Sequence, residues 1–245
     1  MFTVEYRTKV REELIEKAHA DPRIESAAAV GGSAQGETDR WSDLDLAFGI
    51  APDASLESVL ADWTRDARRQ FEAVTLFDLP RGKSIYRVFL LPGSLQVDLS
   101  FTPGAEFGAL GPRFALLFGA AAKRDAPPSP SPRSEFGLAT HHVVRARICV
   151  ARGSLWQAEH WTSLVRDHAL ALACIRLGLE VDYGRGFDAL PIEIREQAAN
   201  ALVRSTQPGE VLRALRGATE LLLSESAGVH EDSTKIESLL REVLE

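Results

Sequence analysis

Gly31-Gly32-Ser33-Ala34-Gln35-Gly36, followed after a short spacer by Ser42-Asp43-Leu44-Asp45-Leu46, is the stretch that decides this fold. Ahead of it, Ile24–Val30 is a short apolar run that reads as a strand, and Asp43–Ile50 reads as a second. Side chains alternate faces along a strand, so Asp43 and Asp45 point one way while Leu44 and Leu46 point into a core. Two carboxylates one strand step apart can grip the same divalent cations. A third candidate, Asp98, sits among apolar neighbours in Leu95-Gln96-Val97-Asp98-Leu99, where an antiparallel neighbour strand would place it beside the first pair. Three carboxylates within ~5 Å repel by roughly 3 kcal/mol per pair at an effective dielectric near 20. A bound cation removes that penalty, and hard oxygen ligands select Mg²⁺ or Mn²⁺. The glycines let the backbone turn sharply and approach a phosphate, and the Ser33 hydroxyl adds a donor. A phosphate grip beside an acidic cluster is what phosphoryl-type transfer needs, since there the protein mainly positions groups and neutralises charge.

Outward from this stretch, strands and helices alternate. Glu5–Ala20 has the spacing of an amphipathic helix that stops at Asp21-Pro22, and Ser55 is a candidate N-cap for a helix to about Gln70. Phe71–Leu79, Ile85–Leu91 and Leu95–Thr102 read as strands, the last two joined by a Pro92-Gly93-Ser94 hairpin. Ala126-Pro-Pro-Ser-Pro-Ser-Pro132 carries four prolines, which can continue neither a helix nor a central strand. It marks residues 125–133 as a linker between a first domain, 1–124, and a second, 134–245. After it the periodicity is helical, with breaks near Gly153, Gly184–Gly186, Pro208 and Gly228, which predicts about five helices. The expected class is α+β: a mixed-sheet domain followed by an all-α bundle.

Composition narrows the partners. No apolar run approaches the ~18 residues of a membrane span, so no membrane partner is expected. Cys149 and Cys174 lie in apolar helical patterns without metal-ligand spacing and read as buried thiols, which points to a reducing, cytoplasmic setting. The net charge is −7; residues 1–132 hold 15 Lys and Arg against 19 Asp and Glu, and residues 133–245 hold 13 against 16. Neither half offers the basic surface that a long nucleic acid requires. A small partner is expected, and a cationic one suits the acidic balance.

Gly32-Ser33, the spacer, Asp43-x-Asp45 and a later strand aspartate, Asp98, together resemble the signature of the DNA polymerase beta-like nucleotidyltransferase superfamily. The nearer likeness is to bacterial aminoglycoside and lincosamide nucleotidyltransferases, which carry a helical domain after the catalytic one. The resemblance implies that Gly32 and Ser33 hold a triphosphate, that Asp43 and Asp45 bind two Mg²⁺, and that Asp98 is a third ligand and eases a proton from the attacking hydroxyl. It further implies ATP as the substrate, a small-molecule hydroxyl as acceptor (an aminoglycoside-like antibiotic among the candidates), and acceptor binding by the helical domain. The motif covers about residues 24–102.

Other signals weigh less. Arg81-Gly82-Lys83-Ser84 looks like the tail of a P-loop, but position 77 is Phe77 where a glycine is needed, and a strand follows where a helix is needed. Lys83 remains a candidate nucleotide contact, and Asp39 in the motif loop reads first as a turn former. His141 and His142 are adjacent on a helix, cannot chelate one metal together, and read as surface or interface residues. Asp188, after Tyr183-Gly184-Arg185-Gly186-Phe187, reads as a helix cap, with Arg185 as a candidate substrate contact. At ~100° per residue, Trp156, His160, Ser163 and Asp167 share one helical stripe with Glu159 beside it, a candidate acceptor wall. Val165, Leu172 and Ile175 fall on the opposite, core side. The alternative function is an antitoxin-like nucleotidyltransferase that modifies or binds a partner protein. Its minimal forms lack a helical half of this size, and a fused helical ribonuclease would need an Arg-x4–6-His motif that is absent after the linker.

Overall fold

Val10, Leu14 and Ala18, spaced by four, form the buried stripe of α1 (Val4–Ala20), whose first turn is capped by Thr3 Oγ1 accepting from Tyr6 N at 3.1 Å. The computed structural model describes residues 1–35, 40–125 and 130–245, apart from the side chains of Ser33 and Gln35. Asp39 and the prolines of the linker before position 130 therefore lie outside the described residues. The chain divides into two units, Met1–Pro128 and Ser129–Glu245.

In the first unit α1 ends at Asp21, which accepts from Arg23 (2.9 Å to Nε) and from Trp63 Nε1 (3.0 Å). The strands are β1 (Ile24–Val30), β2 (Leu44–Ile50), β3 (Val74–Arg81), β4 (Ser84–Leu91), β5 (Leu95–Pro103) and β6 (Phe114–Phe118). They form one six-stranded sheet in the order β3-β4-β5-β2-β1-β6. The central pair β2–β5 is parallel and every other pairing is antiparallel. The antiparallel neighbour expected for Asp98 is thus corrected: the connection from β2 to β5 runs through α2 (Leu56–Phe71), β3 and β4, and that crossover permits a parallel pair. Ser55 Oγ caps α2 as expected, accepting from Ser58 N at 3.3 Å.

Alternation sets the two faces of the sheet. Leu44, Leu46, Phe48 and Ile50 of β2 and Leu95, Val97, Leu99 and Phe101 of β5 are buried in one cluster under α1 and α2. Trp63 closes that core, with its ring 4.7 Å from Phe48 and edge-on to Phe101 at 5.5 Å. The opposite face carries Asp45, Ala47 and Gly49 beside Asp98, Ser100 and Thr102. Among the described residues the two α-helices of the first unit pack on the other side, and a smaller cluster of Ala28, Ala47 and Phe107 packs here.

The second unit has five α-helices: α3 (Pro132–Ala151), α4 (Leu155–Leu177), α5 (Ile192–Asn200), α6 (Pro208–Glu225) and α7 (Ser233–Leu244). Phe136, Ala139, Val143 and Ala146 of α3 meet Val165, Ala169 and Leu172 of α4, alanines allowing close approach, and Leu215, Ala218 and Leu222 of α6 complete the core. Gly178, at φ +68°, terminates α4, with Gly178 N bonded to Ile175 O and Leu179 N to Cys174 O. Cys149 and Cys174 are buried free thiols. Among the described residues no helix is long and apolar enough to cross a membrane.

Candidate active site

β2 begins at Leu44, one residue later than the alternation suggested, so Asp43 precedes the strand. It is held in place from behind. Arg7 of α1, only 6% exposed, donates from Nη1 to the carbonyl of Ser42 at 2.9 Å, fixing the backbone immediately before the acid. Asp43 is exposed and, with Phe2, Trp41, Ser42, Ser94 and Gln96, lines an open cleft of about 380 Å³ at this end of the sheet.

Asp45 and Asp98 are direct register partners across the β2–β5 pair, flanked by Leu44↔Val97 and Leu46↔Leu99. Partners in a parallel pair project to the same face, and the flanking residues are core, so both acids stand on the face away from α1 and α2. Asp98 is partly buried. Burial pushes its carboxyl above the usual range, the Gln96 amide (Nε2 to Oδ1, 3.1 Å) pulls it back, and the negative charge of Asp43 pushes it up again. Asp43 is therefore within electrostatic reach of Asp98, and the three acids share one end of the strand pair.

The glycine turn meets them from β1. Residues Gly31–Gln35 form a short 3-10 turn at the end of that strand. Gly31, not Gly32, is in the left-handed region, at φ +64°. A Cβ on Gly31 would run into Oδ2 of Asp45 and lie 3.1 Å from its Cγ. Gly31 is thus required twice, for its backbone angle and for the carboxylate lying against it. The second requirement has no local signal in the sequence, because it arises between residues of different strands.

The donor set suits a hard divalent cation: it is all carboxylate and carries mutual repulsion. Among the described residues, however, no three His, Cys, Asp or Glu groups converge closely enough to form a complete metal-holding group.

The remaining candidates are dispersed. Lys83 stands next to the β3–β4 hairpin turn, where Gly82 has φ +61°, and pairs with Glu106 at 2.5 Å; the P-loop stays excluded by that hairpin. In the second unit Trp156 is 78% exposed on α4. Glu159 accepts from Ser163 Oγ at 2.9 Å, and Asp167 pairs with Arg166 at 2.8 Å. Arg185 pairs with Glu180 at 3.0 Å and lies 5.1 Å from the Tyr183 ring. Asp188 does not cap α5: it falls in a 3-10 turn, Phe187–Ala189, and Pro191 holds the N-cap position. Of the two readings of His142, surface or interface, the second holds: it is 8% exposed, with its ring 4.9 Å from Trp161 and 5.1 Å from His168 of α4.

No family model matches this chain, and no curated protein matches it. Among solved structures, an aminoglycoside 6-adenyltransferase from Bacillus subtilis aligns over 94% of this chain and 95% of that one, at 13% identity and a TM-score of 0.38. A likeness at that level assigns no chemistry to the site.

Proposed function

We propose that this chain is a metal-dependent nucleotidyltransferase that moves a nucleoside monophosphate, AMP from ATP, onto a hydroxyl of a small molecule. One observation carries the reading: Asp45 and Asp98 face one another in register on the face of the sheet away from α1 and α2, with the Gly31 turn against Asp45 and Asp43 within electrostatic reach. Divalent metal sites built on a strand pair, beside a tight glycine turn that admits a phosphate, suit transfer chemistry in which positioning and charge neutralisation dominate.

Each residue then has a role. Asp43 and Asp45 would hold the Mg²⁺ ions, with Asp98 as the third carboxylate. When bound, Mg²⁺ neutralises charge on the phosphates and the leaving pyrophosphate. Gly32 and Ser33 receive the triphosphate on the turn. The acceptor oxygen attacks the α-phosphorus, the bond to the β-phosphate oxygen breaks, and the hydroxyl proton passes to Asp98. The helical unit is the acceptor-binding part in this reading, with Trp156, Glu159, Asp167 and Arg185 as contacts. The net charge of −7 favours a cationic acceptor such as an aminoglycoside-like antibiotic.

The test is transfer of labelled AMP to a panel of hydroxylated acceptors with Mg²⁺. Asp45→Asn and Asp43→Asn remove one charge each at constant volume, so each should lower turnover on the order of 10³-fold, several kcal/mol of lost charge stabilisation. Circular dichroism should be unchanged. Near wild-type turnover in either variant would refute the metal assignment.

A further inference from the structure

On the face that carries Asp45 and Asp98 the next register partners are Ala47 and Ser100, and they line a pocket of about 170 Å³. Tyr86 of β4, Phe107 and Phe114 supply aromatic surface to it. The wall is firmly built. Phe107 is 2% exposed, its carbonyl accepts from Ala122 N at 2.6 Å, and its ring lies 5.7 Å from Phe114. Glycines let the backbone pack tightly behind that wall: a Cβ on Gly49 would come within 3.1 Å of the Phe107 ring, and one on Gly108 would strike the Ala122 carbonyl. Alanine, glycine and serine are poor strand formers, so their run at the centre of this sheet calls for a reason beyond strand propensity. A floor of small residues under aromatic side chains makes a slot for a flat ring.

Three observations select the ring. Two residues along a strand span about 6.6 Å, which places the slot roughly one sugar's length from the carboxylate pair. Val30, the residue directly before the Gly31 turn, also lines the slot, so the turn and the pocket meet at one backbone step. Arg113 and Arg124 line it as well, and their positive charge disfavours a polycation. We infer that this pocket takes the base of the nucleotide, a planar heteroaromatic ring attached to phosphate, and not the acceptor. The inference rests on the nucleotidyl-transfer reading and adds where the base sits.

Calorimetry on the full chain separates the two ideas by using Mg-ATP and Mg-tripolyphosphate, which share phosphates but not the base. Ala47→Leu fills the floor of the pocket. Gly111→Trp adds bulk at a lining position where a new Cβ meets nothing within 4 Å, so it should fold even where the first variant does not. Each variant should weaken Mg-ATP by about tenfold or more, the scale of a lost base–aromatic stack, while Mg-tripolyphosphate binding stays within about twofold. Undiminished Mg-ATP binding in the folded variants overturns the pocket assignment, as does a parallel loss for both ligands. A wild-type chain that binds tripolyphosphate as tightly as ATP sinks the base pocket but leaves the phosphate turn standing. One that binds neither sinks the nucleotidyl-transfer reading as well.

Discussion

Gly31 and Gly82 both sit at positive φ, yet only one is pressed against a carboxylate. Placing alanine in the left-handed region costs about 1–2 kcal/mol at either position. At Gly82 nothing lies within 4 Å of the new methyl, so Gly82→Ala should show that backbone cost alone in urea unfolding and leave transfer intact. At Gly31 the methyl must also displace Asp45, so Gly31→Ala should lose at least as much stability and at least tenfold in turnover. Equal turnover in the two variants would mean that the position of Asp45 does not matter to the chemistry. Arg7 acts at the same scale from the other side, holding the Ser42 carbonyl so that Asp43 leaves the chain at a defined point.

Helices α3 and α4 bring three histidines around one tryptophan, with a fourth, His168, against His142. His142 stacks obliquely on Trp161 and His168, while His141 and His160 lie near the same indole ring. His168 Nδ1 is 2.6 Å from Glu135, and Arg145 lies 5.8 Å from the Trp161 ring. Nδ1 of His142 and Nε1 of Trp161 are buried without a hydrogen-bond partner among the described residues. Burial lowers the pKa of His142, and the neighbouring His168, His141 and His160 lower it further. The folded state therefore binds protons at this site less readily than the unfolded chain does. It follows that stability is unaffected well above the ordinary histidine pKa, declines as pH falls below it, and levels off below the depressed folded value. His142→Phe keeps an aromatic ring and removes the titration. Its thermal midpoint should fall less than that of the wild type between pH 7 and pH 5, and identical slopes would show that His142 carries none of the dependence.

The molecule has two large cores, one built from residues of Met1–Pro128 and the other from residues of Ser129–Glu245. Trp63 is 2% exposed at the centre of the first, and Leu215 is fully buried in the second. Trp63→Ala should cost about 3–5 kcal/mol and Leu215→Ala about 2–5 kcal/mol, since each leaves a cavity that its surroundings only partly fill. Scanning calorimetry should resolve two transitions, with the first substitution lowering one and the second lowering the other. A single transition shifted by both would show that the two cores unfold as one cooperative unit.

Local periodicity was enough to read most of the elements and the acidic motif. β1 matches its predicted span, α2 has its serine cap, and Asp43, Asp45 and Asp98 were marked out by residue type and spacing. β6 escaped because Phe114–Phe118 is a short unbroken apolar run, which periodicity alone does not assign to strand or helix; its pairing with β1 settles it. The parallel partnership of Asp45 with Asp98 was likewise beyond reading, since register between segments some fifty residues apart is set by matching buried faces and by the path of the crossover. Contacts at right angles to the chain made the rest: the carboxylate against Gly31, the aromatic slot beside Ala47, and the histidines around Trp161. The sequence by itself determined which groups stand as candidates for chemistry in this protein. Tertiary structure decided which of them meet, because packing, unlike helical or strand periodicity, has no fixed separation along the chain.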